Sequence, residues 1–363
     1  MKQKFLPALL LLSLAIFQAC KKDREENQPK EQETIGVYVL YEGTMGQNNS
    51  GIAYYDLKTS QSNPDYFKTV NGYDLGETAN DLQQYGSKIY CVVTGKKDEK
   101  QSFVEVINPV TGKSIKRISF NGASSGFLPR YIAFHKNKAY VSNYDGKIRR
   151  IDTASLQIDE QQVETGGAME KMAIVNDKLY VVNSDHYDFR DAPNKHTVSV
   201  IDLNTFTKIK DIPVTTNPVK IAGSKNGDVF VASSIPWGGI GTYQKINLQT
   251  DAVTSTFSAS IGDITIHENK GFAIVDPYTS NPAVKELNLS TGELGNSFIT
   301  DGTQLKSPNR ISVNTLTNEI VVSDVPDYTS PGKAYYFKAD GKLAVTITTG
   351  INPNSAVFIY GTK

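Results

Sequence analysis

One block of sequence recurs seven times in this 363-residue chain, and it constrains the fold more than any other feature. In each copy a polar turn leads into a strand of alternating apolar residues, and a later strand ends in a turn that opens with Asp or Asn. These two side chains can bond to their own backbone and stabilise a hairpin turn. The aligned apolar positions are Tyr38, Tyr90, Tyr140, Tyr180, Phe230, Phe272 and Val321. The turns open at Asp56, Asn108, Asp152, Asp202, Asn247, Asn288 and Asp340.

The spacing of the copies predicts the architecture. From Tyr38 to Val321 the average interval is about 47 residues, and repeats of roughly 40 to 50 residues with several short strands are typical of propeller blades. We therefore predict an all-β fold, a seven-bladed β-propeller, over residues 35–363.

The two ends of the predicted propeller complement each other. The first copy begins at "TIGVYVL" without an inner strand of its own, whereas the chain ends with "INPNSAVFIYGTK", which matches the inner strands of the other copies. Closure in this way would remove the open edge of the first blade. We expect a last strand over Ser355 to Tyr360 to pair with Gly36 to Leu40.

Residues 1–19 resemble a lipoprotein signal peptide. Lys2 and Lys4 precede an apolar run from Phe5 to Phe17, which is too short to span a membrane but suits secretion. The following "FQAC" resembles a bacterial lipobox, so Cys20 would be acylated, and several acyl chains would hold the protein on a membrane. The alternative is a buried amino-terminal element with an incidental cysteine.

A charged segment, residues 20–34, follows the leader. It has no aromatic or aliphatic residue after Cys20 and is predicted to be a flexible tether. Its acidic cluster, Asp23, Glu25 and Glu26, resembles the export tags of Bacteroidetes-type surface lipoproteins. This resemblance implies a lipid-anchored protein on the outer face of the outer membrane. A plain soluble linker is the alternative reading.

Composition and motifs narrow the function. Lys plus Arg equals Asp plus Glu at 38 each, so the sequence has no basic footprint for nucleic acid. No nucleophile motif, zinc motif or phosphate loop is present, so we predict no catalytic residue, metal or cofactor. His186 and His196 lie in a segment, 183–196, whose Asp-rich part could bind calcium but more often forms turns. Cys91 alternates within a strand and is predicted to be a packing residue.

Insertions fall on one rim of the predicted propeller, and long loops on a rigid scaffold commonly bind ligands. They span residues 41–51, 94–102, 183–196, 233–242, 275–283 and 323–332. Aromatic residues collect on this rim, and we expect them to be exposed and to contact a ligand. They are Tyr41, Tyr144, Tyr187, Phe189, Trp237, Tyr278 and Tyr328. The alternative is that each ring packs onto its own blade.

The predicted inner strands begin on the same rim with polar residues, which would surround the mouth of the central channel. These are Asn80, Asp81, Arg130, Glu170, Lys171, Lys220, Asp263, Arg310 and Asn354. Such a ring could hydrogen-bond a polar ligand. It could instead be a wet channel whose charges satisfy one another.

The repeats resemble the YVTN-type bacterial surface propellers. More narrowly, "GVYVLYEGTMGQNNSGIAYYD" (36–56) and "FITDGTQLKSPNRISVNTLTNEIVVSDVPDYTSPGKAYYFKADGKL" (298–343) resemble Bacteroidetes surface lipoproteins of the BtuG kind. The resemblance covers essentially the whole mature chain. It implies a seven-bladed propeller that captures cobalamin or related corrinoids without chemistry. It also implies transfer of the ligand to a TonB-dependent transporter of the BtuB type.

Two other classes of function remain open on sequence. A propeller of this kind could bind glycans or a protein partner on its loops. It could also be a lactonase-like or lyase-like enzyme with a metal at the channel mouth, because a fold alone does not decide function.

Overall fold

The computed structural model describes residues 31–186, 194–224, 227–235 and 237–362. Within them the chain forms 28 strands, arranged as seven separate four-stranded antiparallel sheets. The inner strand of each sheet contacts the inner strands of the sheets on either side, so the seven sheets form a closed ring. The fold is the predicted seven-bladed β-propeller.

The blades are numbered in chain order, and their strands are given from the channel outward. Blade 1 contains β28 (Pro353–Thr362), β1 (Gln32–Tyr41), β2 (Gly51–Asp56) and β3 (Gln61–Asn63). Blade 2 contains β4 (Ala79–Tyr85), β5 (Lys88–Val93), β6 (Phe103–Ile107) and β7 (Ser114–Ser119). Blade 3 contains β8 (Pro129–His135), β9 (Lys138–Asn143), β10 (Lys147–Asp152) and β11 (Gln157–Glu164). Blade 4 contains β12 (Ala168–Val175), β13 (Lys178–Ser184), β14 (Thr197–Asp202) and β15 (Thr207–Pro213).

The other three blades follow the same order. Blade 5 contains β16 (Pro218–Gly223), β17 (Val229–Ser233), β18 (Thr242–Asn247) and β19 (Ala252–Ser258). Blade 6 contains β20 (Ile261–His267), β21 (Lys270–Val275), β22 (Ala283–Leu287) and β23 (Leu294–Ser297). Blade 7 contains β24 (Pro308–Val313), β25 (Ile320–Asp324), β26 (Pro331–Phe337) and β27 (Leu343–Ile351).

Closure of the ring joins the two ends of the chain in one sheet. Strand β28 pairs antiparallel with β1, with Val39 opposite Ala356 and Val37 opposite Phe358. The last strand thus supplies the inner strand that the first copy lacks, which confirms the predicted closure. The pairing leaves no unpaired edge between the first and last blades.

The core lies between neighbouring blades. Between blades 2 and 3, for example, Tyr90 and Val106 pack with Ile132, Val141 and other apolar side chains of the facing sheet. Burial of one such side chain contributes about 2 kcal/mol. Alternation along the strands thus places apolar side chains on both faces of a blade. Cys91 is one of the fully buried side chains, as predicted for a packing residue.

The rim formed by the turns between first and second strands and between third and fourth strands is called the turn rim. Its third-to-fourth-strand turns are bonded internally: Asp56 Oδ1 accepts the backbone N–H groups of Lys58 at 2.8 Å and Thr59 at 2.9 Å. The Thr59 bond is the main reason that the pKa of Asp56 lies below its usual value. The same pattern recurs at Asn108, Asp152, Asp202, Asn247 and Asn288.

Blade 1 departs from the pattern at its outer edge, where a short helix follows β3. Helix α1 (Tyr66–Asn71) buries Phe67 and ends at Gly72, whose φ is 77°. The sequence had suggested no helix, because six residues are too few to show helical periodicity. No helix in the described part of the chain is long and apolar enough to cross a membrane.

Candidate functional site

The opposite rim, called the loop rim, carries the connections between second and third strands and those between blades. The inner strands of blades 2 to 7 begin there, and each has a β-bulge within its first few residues. In β4, for instance, the register shifts between Ala79 and Asp81, so Asn80 has no partner in the ladder. Because bulges re-aim side chains, polar residues at these positions can turn into the channel.

Polar residues at the starts of the inner strands gather at one end of the channel, as the sequence predicts. This ring of residues is called the mouth. On the side of blades 1 to 4, the Arg130 guanidinium donates to Glu170 Oε2 at 3.2 Å and to Asn80 Oδ1. The Tyr144 hydroxyl donates to the other oxygen of Glu170, and the Tyr144 ring lies 4.8 Å from the Arg130 guanidinium. Every charge in this part of the mouth therefore has a close partner.

The side of blades 4 to 7 is organised around Asp263, which is fully buried. Lys171 Nζ donates to Asp263 Oδ1 at 2.8 Å, and the backbone N–H of Ile311 donates to Oδ2 at 3.1 Å. Arg310 lies 3.7 Å from the same carboxylate and donates to Asn354 Oδ1 at 2.8 Å. Burial alone would raise the pKa of Asp263, but Lys171 and Arg310 outweigh it and hold that pKa below its usual value.

Asp81 has a different role from its charged neighbours. Its carboxylate accepts the backbone N–H of Ile132 at 3.1 Å and the hydroxyl of Ser355 at 3.1 Å. These bonds join blade 2 to blades 3 and 1. We conclude that Asp81 fixes the blades around the mouth, and its 2 % exposure leaves it little surface for a ligand.

A cavity of about 430 Å³ opens beside the mouth. Arg130, Asn80 and Tyr144 line it together with Glu42 and His186. Burial raises the pKa of the Glu42 carboxyl against the opposing effect of Arg130. The cavity thus offers a guanidinium, a carboxyl group and aromatic surface to a polar molecule, whereas the Asn80 amide is buried and bonded to Thr94 and Arg130.

An aromatic groove of about 660 Å³ lies on the same rim, between the loops of blades 5 and 6. Trp237 and Tyr278 line it, with Ile235 and Pro277. Trp237 is fully exposed, Tyr278 is 70 % exposed and Tyr328 is 53 % exposed. The prediction of exposed rings on the loop rim is confirmed for these three.

The same prediction is wrong for Tyr41 and Tyr144, which are only 6 % and 7 % exposed. Tyr41 packs against Gly51 and Gly350, where a Cβ atom would overlap its ring, and its hydroxyl donates to Asp65 at 3.1 Å. Tyr41 is therefore a packing residue of blade 1. Tyr144 is buried but lines the cavity. Tyr187, Phe189 and Cys20 lie outside the described residues.

Two mouth residues were missed by sequence reasoning. Glu42 follows β1 and accepts a hydrogen bond from the Asn354 amide, which places it beside the inner strand of its own blade. Tyr131 lies between the Arg130 and Arg310 guanidinium groups, at 5.9 Å and 5.2 Å from its ring. Glu42 directly follows Tyr41, and Tyr131 directly follows Arg130, both of which the sequence analysis had placed in the site. The residues next to each β-bulge were therefore the signal by which Glu42 and Tyr131 could have been found.

Within residues 31–186, 194–224, 227–235 and 237–362, no three side chains among His, Cys, Asp and Glu are grouped so that they could hold a metal ion. Residues 187–193, half of the segment 183–196 that could bind calcium, lie outside these ranges.

Solved structures with the same architecture come from proteins of diverse descriptions. A quinonprotein alcohol dehydrogenase-like protein from Bacteroides thetaiotaomicron VPI-5482 is 17 % identical, with a TM-score of 0.66 over 90 % of this chain and 79 % of that one. Hydrazine synthase from Kuenenia stuttgartiensis is 11 % identical, with a TM-score of 0.57 over 74 % of this chain and 85 % of that one. At these identities the likeness shows the fold alone.

A third similar structure is the dihydro-heme d1 dehydrogenase NirN, at 9 % identity and a TM-score of 0.56, covering 92 % of this chain and 77 % of that one. No curated protein matches the sequence. A family profile does match, over residues 35–349, which is nearly the whole propeller. The chain therefore belongs to the DUF5074 family, described as a domain of unknown function.

Proposed function

We propose that this propeller is a binding protein that captures a corrinoid such as cobalamin on its loop rim, without chemistry of its own. The observation that carries the proposal is the exposed Trp237 ring in the aromatic groove, on the same rim as the polar mouth. Exposed aromatic surface beside converging polar groups is typical of ligand sites.

The chemistry of a corrinoid suits these two surfaces. Its macrocycle is flat and broad, and rings such as Trp237 and Tyr278 supply contact area at a small cost in conformational entropy. Its peripheral amides can exchange hydrogen bonds with groups like the Arg130 guanidinium in the cavity. The resemblance of residues 36–56 and 298–343 to the BtuG-type lipoproteins supports this ligand class.

The proposed setting is the cell surface. The signal-like leader, the lipobox-like "FQAC" and the charged tether support a protein anchored through Cys20 to the outer membrane. From there it would hand its ligand to a TonB-dependent transporter of the BtuB type. Cys20→Ser should then release the protein from the membrane fraction of cells. Retention of that variant in the membrane would contradict lipid anchoring.

Calorimetric titration of the folded protein with cobalamin tests the ligand. Loss of a central aromatic contact typically costs about 2 kcal/mol, so Trp237→Ala should weaken binding about thirtyfold. Arg130→Ala should also weaken it, since this guanidinium lines the cavity.

Two variants on the turn rim serve as controls. Val110→Ala removes an apolar side chain that is 81 % exposed, and His135→Ala removes a ring that is paired with Asp177 at 2.7 Å. Both should bind like the parent. Normal binding by Trp237→Ala together with weaker binding by either control would show that the ligand binds the turn rim and would contradict the proposed loop-rim site. If the parent bound glycans and no corrinoid, the ligand class would be wrong.

A further inference from the structure

Lys220 differs from the other cations of the mouth. Arg130, Lys171 and Arg310 each donate a hydrogen bond to a described side chain. Lys220 lies on β16 of blade 5 and is half-buried, yet its ammonium group makes no hydrogen bond and no ion pair with any residue in the described ranges. It is a cation of the ring for which the described residues supply no close acceptor.

Asp263, the carboxylate that most favours the charged form of Lys220, is already shared. Lys171 reaches it from blade 4, Arg310 approaches it from blade 7, and Ile311 N–H occupies its second oxygen. The close contacts of Asp263 are therefore taken up by Lys171, Arg310 and the Ile311 N–H, and Lys220 acts on it only from a longer range. A half-buried cation without a counterion is energetically costly.

The other carboxylates of the mouth make no hydrogen bond with Lys220. Glu170 and Glu42 favour its charged form only from a longer range, and Asp81 bonds to Ile132 and Ser355. Both oxygens of Glu170 accept hydrogen bonds, from Arg130 and from Tyr144. Glu42 accepts from the Asn354 amide, and burial raises the pKa of its carboxyl. Burial, followed by the nearby Arg310, lowers the pKa of Lys220. Among close contacts, therefore, the excess positive charge lies on the side of blades 4 to 7, where Lys171 and Arg310 pair with Asp263 and Lys220 has no ion pair with a described residue.

We infer that the mouth contains an oxyanion subsite centred on Lys220, which binds a carboxylate or phosphate group of the ligand. An oxyanion there would accept a charge-assisted hydrogen bond from the ammonium group and offset the excess charge. The subsite rests on the proposed use of the mouth as a binding site, but it does not require the ligand to be a corrinoid.

Inorganic phosphate is the probe for the first arm of the test, and acetate is the probe for the second. The unfolding temperature is measured in each anion and in chloride at equal ionic strength, and the dissociation constant of phosphate is measured by calorimetry. Phosphate strengthens folding of any protein by exclusion from its surface, so only differences between variants count. Phosphate should raise the unfolding temperature of the parent by about 2 °C more than that of Lys220→Met.

The variants distinguish the effect of the Lys220 charge from the effect of any positive charge on the same rim. Lys220→Met should weaken phosphate about tenfold, whereas Lys220→Arg should retain most of the affinity. Lys306→Gln removes an exposed lysine from the same rim and should behave like the parent. In chloride, Lys220→Met should be as stable as the parent or more stable, because it removes an uncompensated cation.

The outcomes separate this inference from the proposed function. An equal response to phosphate in the parent and Lys220→Met would overturn the oxyanion subsite, even if cobalamin bound. A response lost in Lys220→Met and kept in Lys306→Gln would establish it, even if no corrinoid bound. The acetate arm then decides whether a carboxylate is sufficient or whether a phosphate is required.

Discussion

The two rims of the propeller differ in how regularly their polar residues are used. On the turn rim, side chains such as Asp56 and Asn108 bond to the backbone two and three residues further on. On the loop rim, polar groups such as Arg130 and Lys171 bond across blades, and Trp237 packs against little of the protein. The turns of the turn rim are thus satisfied locally, although side chains there such as Lys178 also bond across blades. The loop rim keeps aromatic surface exposed, and we propose that this surface serves a ligand.

This difference shows how a repeated blade can carry a single site. Every blade needs tight turns, and Asx turns meet that need within four residues. The connections between second and third strands have no such constraint, so they vary in length and composition. Function is therefore expected on the rim where the repeat is least regular.

We expect the largest effect from a deletion that disrupts the scaffold shared by both rims. Deletion of residues 352–363 takes away β28 and exposes the partners of Val357, Phe358 and Ile359, each worth about 2 kcal/mol of burial. The unfolding temperature should fall by about 10 °C or more, as circular dichroism would show. A truncated protein with the parent's midpoint would mean that closure by β28 contributes little.

A smaller effect should follow from a change at the mouth alone. Asp263→Asn leaves Lys171 and Arg310 without their carboxylate, and loss of one partner of a buried pair costs about 3 kcal/mol. The turn rim should be unaffected. Urea unfolding at about pH 6 measures the loss, since the carboxylate is ionised there.

The stability difference between the parent and Asp263→Asn should change with pH in a direction that the pKa of Asp263 fixes. The pKa of Asp263 is held below its usual value of 3.8, so its contribution is present above about pH 4 and is lost as the pH falls through the folded-state pKa. The stability gap between parent and Asp263→Asn should therefore narrow in acid. A gap that widened below pH 4 would contradict the ionised state of Asp263.

The smallest effect belongs to a single turn. Asn247→Ala removes the acceptor for the backbone N–H groups of Gln249 and Thr250, and exposed bonds of this kind contribute about 1 kcal/mol in total. Urea unfolding should show this loss with ligand binding unchanged. Weaker ligand binding in this variant would show that the rims are coupled through blade 5.

Periodicity predicted the architecture because every blade needs the same alternating strands and the same turns. The aligned residues Tyr90, Tyr140 and Tyr180 are all buried between blades, and β28 pairs with β1 as expected. Helix α1 could not be predicted, since a helix of six residues is stabilised mainly by packing around Phe67.

The site was predictable only in part. The starts of the inner strands identified the mouth, because blade topology fixes which ends meet at the channel. Exposure of single rings was not predictable, because it depends on distant contacts. Tyr41 is covered through its approach to Gly350, and Tyr144 through its bond to Glu170.

The position of strand β1 determines which rim faces away when the protein is attached to something through either end of the propeller. Its first residue, Gln32, pairs with Thr362, and the backbone N–H of Leu57 in a turn-rim turn bonds to Ile35. Both ends of the propeller therefore emerge on the turn rim. A handle at either end, whether a fusion partner, a sensor-chip linker or a lipid, leaves the loop rim facing away from the point of attachment and open to molecules in solution.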